Sequence, residues 1–141
     1  MTTTSPLPEP VRRELEHGGP MDITTIGGKS GQPRRIELVY HTIDGRIIIS
    51  GRPGFPRGWV ANLKANPRMT FHLKRNVVAD LPAIGRVVTD RAERERLLAP
   101  IARLWGYDLA LMVASAPCVE VTFATDVIDE PEAADTRAAT G

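Results

Sequence analysis

One cysteine, Cys118, stands in the whole sequence, so no disulfide within the chain is possible. A lone thiol among apolar neighbours reads as buried and inert, and a reducing compartment, the cytoplasm, is the expected location. Aromatic side chains are equally scarce. Between residues 50 and 75 only Phe55, Trp59 and Phe71 occur, and they lack the spacing of a base-stacking platform, which counts against a nucleic-acid partner. No stretch approaches the ~18 apolar residues of a membrane span, and Met1-Thr2-Thr3-Thr4-Ser5-Pro6 has no charged region leading into an apolar run. No membrane partner is therefore expected. His17, His41 and His72 are far apart, without metal-ligand spacing or an accompanying Cys pair, so no metal site is expected either. The G-x-S-x-G elbow of serine hydrolases and the G-x-G-x-x-G turn of Rossmann NAD sites are both missing.

What is present begins with an uneven charge distribution. The net charge is only +1, yet residues 29–75 hold ten Lys/Arg against Glu37 and Asp44 alone, and from residue 76 onward six Arg face eleven Asp/Glu. A basic segment beside an acidic one suggests an anionic small-molecule ligand. With 141 residues the chain can bury roughly two thirds of the surface that its unfolded form exposes, so it needs no metal or disulfide to fold.

The basic segment starts in "ITTIGGKSGQPRR", residues 23–35. Gly28-Lys29-Ser30 looks like the end of a P-loop, but Ile23 stands where the first glycine is required, and Gly31 and Pro33 follow instead of a helix. The next residues alternate as a strand does, so the stretch reads as strand, basic glycine turn, strand. Lys29, Ser30, Arg34 and Arg35 then surround the turn with cations and a hydroxyl. A second anion-binding element lies in "GRPGFPRGWVANLKANP", 51–67: a Gly/Pro-rich loop and a short helix whose N-terminal N–H groups at Gly58, Trp59 and Val60 lack partners. Trp59 and Leu63 share one helical face, and Trp59 could serve the core or cover an aromatic ring.

Around these lie a short helix from Glu9 to His17 and strands at 22–27, 34–43 and 46–50, with a hairpin through Asp44-Gly45. Further strands fall at 68–74, around 77–89 and at 118–124. "TDRAERERLLAPIARLW" reads as a helix opened by Asp90 and Glu93, with a buried stripe of Leu97, Ile101 and Trp105 and a kink or break at Pro100. Residues 1–8 and 127–141 read as flexible ends around a domain at 9–126. Because helices do not alternate regularly with strands, the expected fold is mainly β, a small barrel of about six antiparallel strands with short peripheral helices.

The segments "TTIGGKSGQPR", "GWVANLKANPRMTFHLK" and "VVTDRAERERL" together resemble the deazaflavin-dependent nitroreductase family. The resemblance implies a split β-barrel, related to flavin-binding pyridoxamine-phosphate oxidases and paired as a homodimer. It also implies an oxidoreductase that passes hydride from reduced coenzyme F-420 to a quinone, enone or nitro compound, the alternative being an FMN- or haem-binding barrel without F-420 turnover. Carried over by position, Lys29, Ser30, Arg34 and Arg35 would face the coenzyme's phosphate and glutamate tail. Ser50, Gly51 and Arg52 would lie beside the deazaflavin ring, and Arg57, Gly58, Trp59 and Asn62 would complete the cofactor site. Gly28 stands where the family usually has arginine. No catalytic residue is implied: Tyr40 and Tyr107 are the only tyrosines, and each could donate a proton to the product or serve structure alone. In such an enzyme the coenzyme carries the hydride, so a missing acid–base pair does not exclude catalysis.

Overall fold

The structure, a computed structural model, describes residues 7–54 and 57–123. The ends expected to be flexible fall almost entirely outside these residues, as does Phe55. Ten elements follow in chain order: α1 (Glu9–Leu15), β1 (Gly19–Ile26), β2 (Pro33–Ile43), β3 (Arg46–Ser50), α2 (Gly58–Ala65), β4 (Arg68–Lys74), β5 (Val78–Val87), α3 (Arg91–Trp105), α4 (Leu109–Ser115) and β6 (Cys118–Phe123). The six strands close into an antiparallel barrel in the order β1-β2-β3-β6-β5-β4, as the period-2 segments predict.

Strand alternation sets what fills the barrel. Met21, Ile23, Met69, Phe71, Leu73, Val119, Val121 and Phe123 are all buried in one interior cluster. Phe71 lies at its centre, edge-on to Tyr40 at 5.3 Å and to Phe123 at 5.4 Å. α1 closes one end with Val11 and Leu15; there the Tyr40 hydroxyl donates to the Glu14 carbonyl at 2.8 Å, and Thr42 donates to the Leu15 carbonyl at 2.6 Å. α2 closes the other end with Trp59 and Leu63, and Leu63 packs so tightly on β5 that a Cβ at Gly85 would stand 3.1 Å from it.

Closure itself is narrow. β1 pairs with β2 over eight positions but with β4 over only three, Asp22–His72, Ile23–Phe71 and Thr24–Thr70. Outward-facing side chains reinforce this seam. His72 Nε2 is 2.7 Å from Thr24 Oγ1, its Nδ1 is 2.7 Å from Asp80, and Lys74 donates to Asp22 at 2.6 Å.

A second cluster forms on the outside of the wall, where Ile48, Val88 and Cys118 are covered by Leu97, Leu98, Ile101 and Ala102 of α3 and Met112 of α4. One expectation about α3 needs correction and a second is narrowed. Its buried residues are Leu97, Leu98, Ile101 and Ala102, whereas Trp105 is only half-buried. At ~100° per residue an i, i+4, i+8 series drifts ~80° around the helix, which turns Trp105 off the core face. Nor does Pro100 break the helix, which runs through it from Arg91 to Trp105; burial of residues on both sides of Pro100 outweighs the one missing N–H. At the start, Asp90 accepts the Glu93 N–H at 2.9 Å as a cap should. The Glu93 carboxylate is instead held by Arg46 and Arg86, which also grip Glu120.

Trp105 meets the edge of His41 at 5.1 Å, and the His41 Nε2 is buried without a hydrogen-bond partner among the described residues. Burial pushes the His41 imidazole below its ordinary value of 6.5. The unfolded chain therefore takes up a proton first: stability is complete above pH 6.5 and declines as pH falls below it toward the lower folded value. His41→Phe, which keeps a ring against Trp105, should flatten the melting temperature between about pH 7 and pH 5. The steeper loss below 4.5 should remain in this variant, because Glu93, held at about 2 by hydrogen bonds from Arg86 and Arg46, must then be protonated. Thermal melts of both proteins across that range check the two windows.

Candidate functional site

The residues singled out in the sequence gather at the α2 end of the barrel, away from α1. The glycine turn is closed by its own backbone: Gly27 N–H donates to the Gln32 carbonyl at 2.8 Å and Gly31 N–H to the Gly27 carbonyl at 2.9 Å. Ser30 Oγ accepts from Gln32 N–H at 3.1 Å. Two glycines are required here. Gly31 has φ +71°, and a Cβ at Gly27 would sit 2.6 Å from Ser30 Oγ. Asn62 then fastens the turn to α2, accepting the Gly28 N–H at 3.2 Å and donating to Thr25 at 3.1 Å.

Ion pairing divides the basic segment into two groups. Arg35 donates to Asp22 at 2.9 Å, Lys74 bridges Asp22 and Glu37, and Arg46 is bound to Glu93 and Glu120. These cations are neutralised on the outer wall. Lys29, Arg34, Arg52, Arg57, Lys64, Arg68 and Arg75 have no carboxylate partner among the described residues, and the first five lie at the glycine turn, the loop after β3 and α2. Register explains why the neighbours Arg34 and Arg35 differ. Arg34 pairs with Thr25, on the side where Asn62 docks, while Arg35 pairs with Thr24 on the outer face beside Asp22. α2 adds to this positive rim, since its N-cap residue, Arg57, supplies no side-chain cap.

The other flank of α2 borders a cavity of about 320 Å³. Arg57, Val60 and Lys64 line it from the α2 side, Val87, Val88 and Thr89 from the end of β5, and Ala114 to Cys118 from the end of α4. Helical geometry places Asn62 toward the turn and Val60 and Lys64 toward the cavity, so the turn and the cavity flank α2 on opposite sides. The Arg57 guanidinium lies over Gly51, where a Cβ would stand 3.3 Å from its Nη2, and its Nη1 is buried with no partner among the described residues.

Arg94 forms the cavity floor. It donates to the carbonyls of Val113 at 2.9 Å, Val88 at 3.1 Å, Met112 at 3.2 Å and Ala116 at 2.6 Å, and so fixes the C-terminal end of α4 against the barrel. Neither α4 nor this anchor was legible in the sequence. Seven residues with one buried side chain carry little periodicity, and the only local signal is Asp108, whose side chain caps Leu111 N–H at 3.0 Å.

The remaining expected residues are placed more simply. Ser50 is buried and donates to the Pro117 carbonyl at 2.7 Å, holding the loop after β3 to β6. Trp59 belongs to the barrel core with 8% of its surface exposed, and Gly58 and Arg52 are exposed. Burial pushes the Cys118 thiol up to about 11, an inert state even though it lines the cavity. Tyr40 is at the α1 end, its hydroxyl pushed up to about 12 chiefly by burial, and Tyr107 packs against Trp105. Tyr40 is thus tied to the α1 end, and Tyr107 packs against the cluster under α3 and α4. Among the described residues no three potential metal ligands converge, and no helix is long and apolar enough to cross a membrane.

The sequence pattern of the F420H2-dependent quinone reductase family matches residues 10–119. Among solved structures, one described as an F420-H2 dependent reductase is 22% identical, covers 74% of this chain and 94% of its own, and superposes with a TM-score of 0.55. An F420 reductase is 15% identical, with 84% and 96% covered and a TM-score of 0.62. A protein of the pyridoxinephosphate oxidase family from Clostridium acetobutylicum is 18% identical, with 83% and 86% covered and a TM-score of 0.62. At such identities these likenesses bear on the fold, a split barrel shared by flavin and deazaflavin proteins.

Proposed function

The chain belongs to the F420H2-dependent quinone reductase family, and we propose that it reduces a quinone with hydride from reduced F-420 at the α2 rim of its barrel. One observation carries the placement: among the cations without a carboxylate partner in the described residues, Lys29 and Arg34 lie at the glycine turn docked on α2, and Arg52 lies in the loop that leads to its uncapped start. An F-420 molecule carries a phosphate and a glutamate tail, and this donor set fits both. When bound, the coenzyme supplies the hydride; the protein's work is to bind, orient and exclude water.

In this reading Lys29 and Arg34, with the Ser30 hydroxyl, hold the anionic tail along the glycine turn. The backbone N–H groups at Gly58 and Trp59 face the phosphate, and Gly51 and Arg52 border the ring. Arg35, Ser50 and Asn62 support the site from behind through Asp22, Pro117 and Gly28. The quinone takes the cavity on the other flank of α2. A cytoplasmic location and pairing with a second copy complete the reading; the single buried cysteine supports the first.

Each charge-assisted contact to the tail contributes roughly 1.5–3 kcal/mol, so Lys29→Ala or Arg34→Ala should raise the F-420 dissociation constant about ten- to a hundredfold with little change in melting. Gly28→Arg should tighten binding, because a Cβ there would meet only Ala65, at 3.5 Å. Titration of F-420 and FMN against wild type and the three variants tests the placement. Equal gains for both cofactors in Gly28→Arg would put the turn at the phosphate, and unchanged affinity in all three variants would remove the turn from the site.

A further inference from the structure

We propose that Arg57 is a catalytic residue on the quinone side of this site, where its guanidinium stabilises the negative charge that forms on the quinone oxygen as hydride arrives. The inference rests on the function proposed above and concerns the cavity, not the coenzyme's tail.

Quinone reduction transfers one hydride and then one proton. The coenzyme would supply the hydride from a C–H bond. A new O–H bond would form at one quinone oxygen, the electron pair displaced through the ring would leave negative charge on the other, and the proton that the coenzyme gives up on oxidation would reach that oxygen through solvent. The protein must favour the anion before the proton arrives. Among the described residues lining the cavity there is no Tyr, His, Asp or Glu, so none of them offers a tyrosine or imidazole acid or a carboxylate that would repel the developing charge. What lines it instead is cationic: Arg57, Lys64 and Arg94.

These three are not equivalent. Arg94 is saturated by four backbone carbonyls. Lys64 is exposed, where water screens its charge. Arg57 is held over Gly51, with Nη1 buried and without an acceptor among the described residues. The buried Nη1 fixes the group in place, the side chain lines the cavity, and no protein carboxylate among the described residues offsets its charge, so Arg57 is a preorganised cation for an oxygen that becomes negative there. The cavity volume suits a ring of one or two cycles. The glycine turn lies across α2 from Arg57, so the tail-binding cations and this one serve different molecules.

The test uses the whole protein with reduced F-420 and menadione as the quinone. Arg57→Met should lower kcat about a hundredfold while the F-420 dissociation constant stays within about twofold. Arg57→Lys should fall between Met and wild type, and millimolar guanidinium should restore part of the activity of Arg57→Ala, which a purely structural arginine would not show. If Arg57→Met does not fold, the Lys variant and the rescue carry the same comparison. An unchanged kcat, absent rescue, or an F-420 dissociation constant that rises as steeply as kcat falls would each overturn the assignment, the last by giving Arg57 to the coenzyme. A wild-type protein that binds no F-420 would overturn the parent reading, and this assignment with it.

Discussion

Arg94→Met should destabilise the protein by about 3–5 kcal/mol, with loss of the cavity before loss of the barrel. One guanidinium donates to Val88, Met112, Val113 and Ala116 carbonyls. Each bond from a charged donor contributes roughly 1.5–3 kcal/mol; the four share one side chain and are not additive, which sets the lower total. Methionine keeps the length and apolar contact of the stem but removes the guanidinium donor from those carbonyls, of which Met112 alone is seen to keep a second donor, the Ala116 N–H. α4 has seven residues and is too short to persist by itself, so its end should fray from the wall. Urea unfolding gives the loss directly, with Arg96→Met as the control. That arginine is exposed on the same helix and should change stability by less than ~0.5 kcal/mol. A stability change equal to the control would show that the four contacts contribute nothing net.

Trp59→Ala should cost a similar amount, about 3–5 kcal/mol, the usual scale for truncating a buried Trp. The residue is 8% exposed and plugs the barrel beside Leu63. For a chain of this length that corresponds to a melting temperature lower by roughly 10 °C. Trp59→Phe should recover part of the loss and separates the two roles open to this residue. If F-420 affinity is unchanged in the Phe variant, Trp59 serves the core alone; if it falls, the indole edge also meets the coenzyme.

Most of the barrel was legible because its strands obey a period of two and are punctuated by strong turn residues. Arg46 to Ser50 and Arg68 to Lys74 have the expected bounds, and Asp44-Gly45 forms the expected hairpin, with Ile43 paired to Arg46. Helix α3 was found by its cap but assigned the wrong final core residue, since Trp105 is large and apolar while its angular position is decided by helical drift. The glycine turn and the start of α2 could be picked out as candidate anion-binding elements from chain-local features. Their docking on one another could not, because it depends on Asn62 meeting Gly28 across 34 positions of sequence. The cavity was invisible for the same reason. Its walls come from α2, the end of β5 and the end of α4, and Arg94, which assembles them, looks in the sequence like one more surface arginine of an Arg/Glu-rich helix.

The three-residue pairing of β1 with β4 has a dynamic consequence. A closed barrel has no free edge at which another chain can add a strand, but that protection lasts only while the shortest ladder stays zipped. Amides of β1 and β4 on this seam should therefore exchange with solvent deuterium sooner than those of the long β1–β2 and β4–β5 ladders, through brief local opening of the native state. Thr24, His72, Asp80, Asp22 and Lys74 act as the latch on that opening, so removing the His72 imidazole should speed exchange there first. The molecule's exposure to strand-swapped association is then governed by a handful of polar side chains at one seam, not by the size of its core.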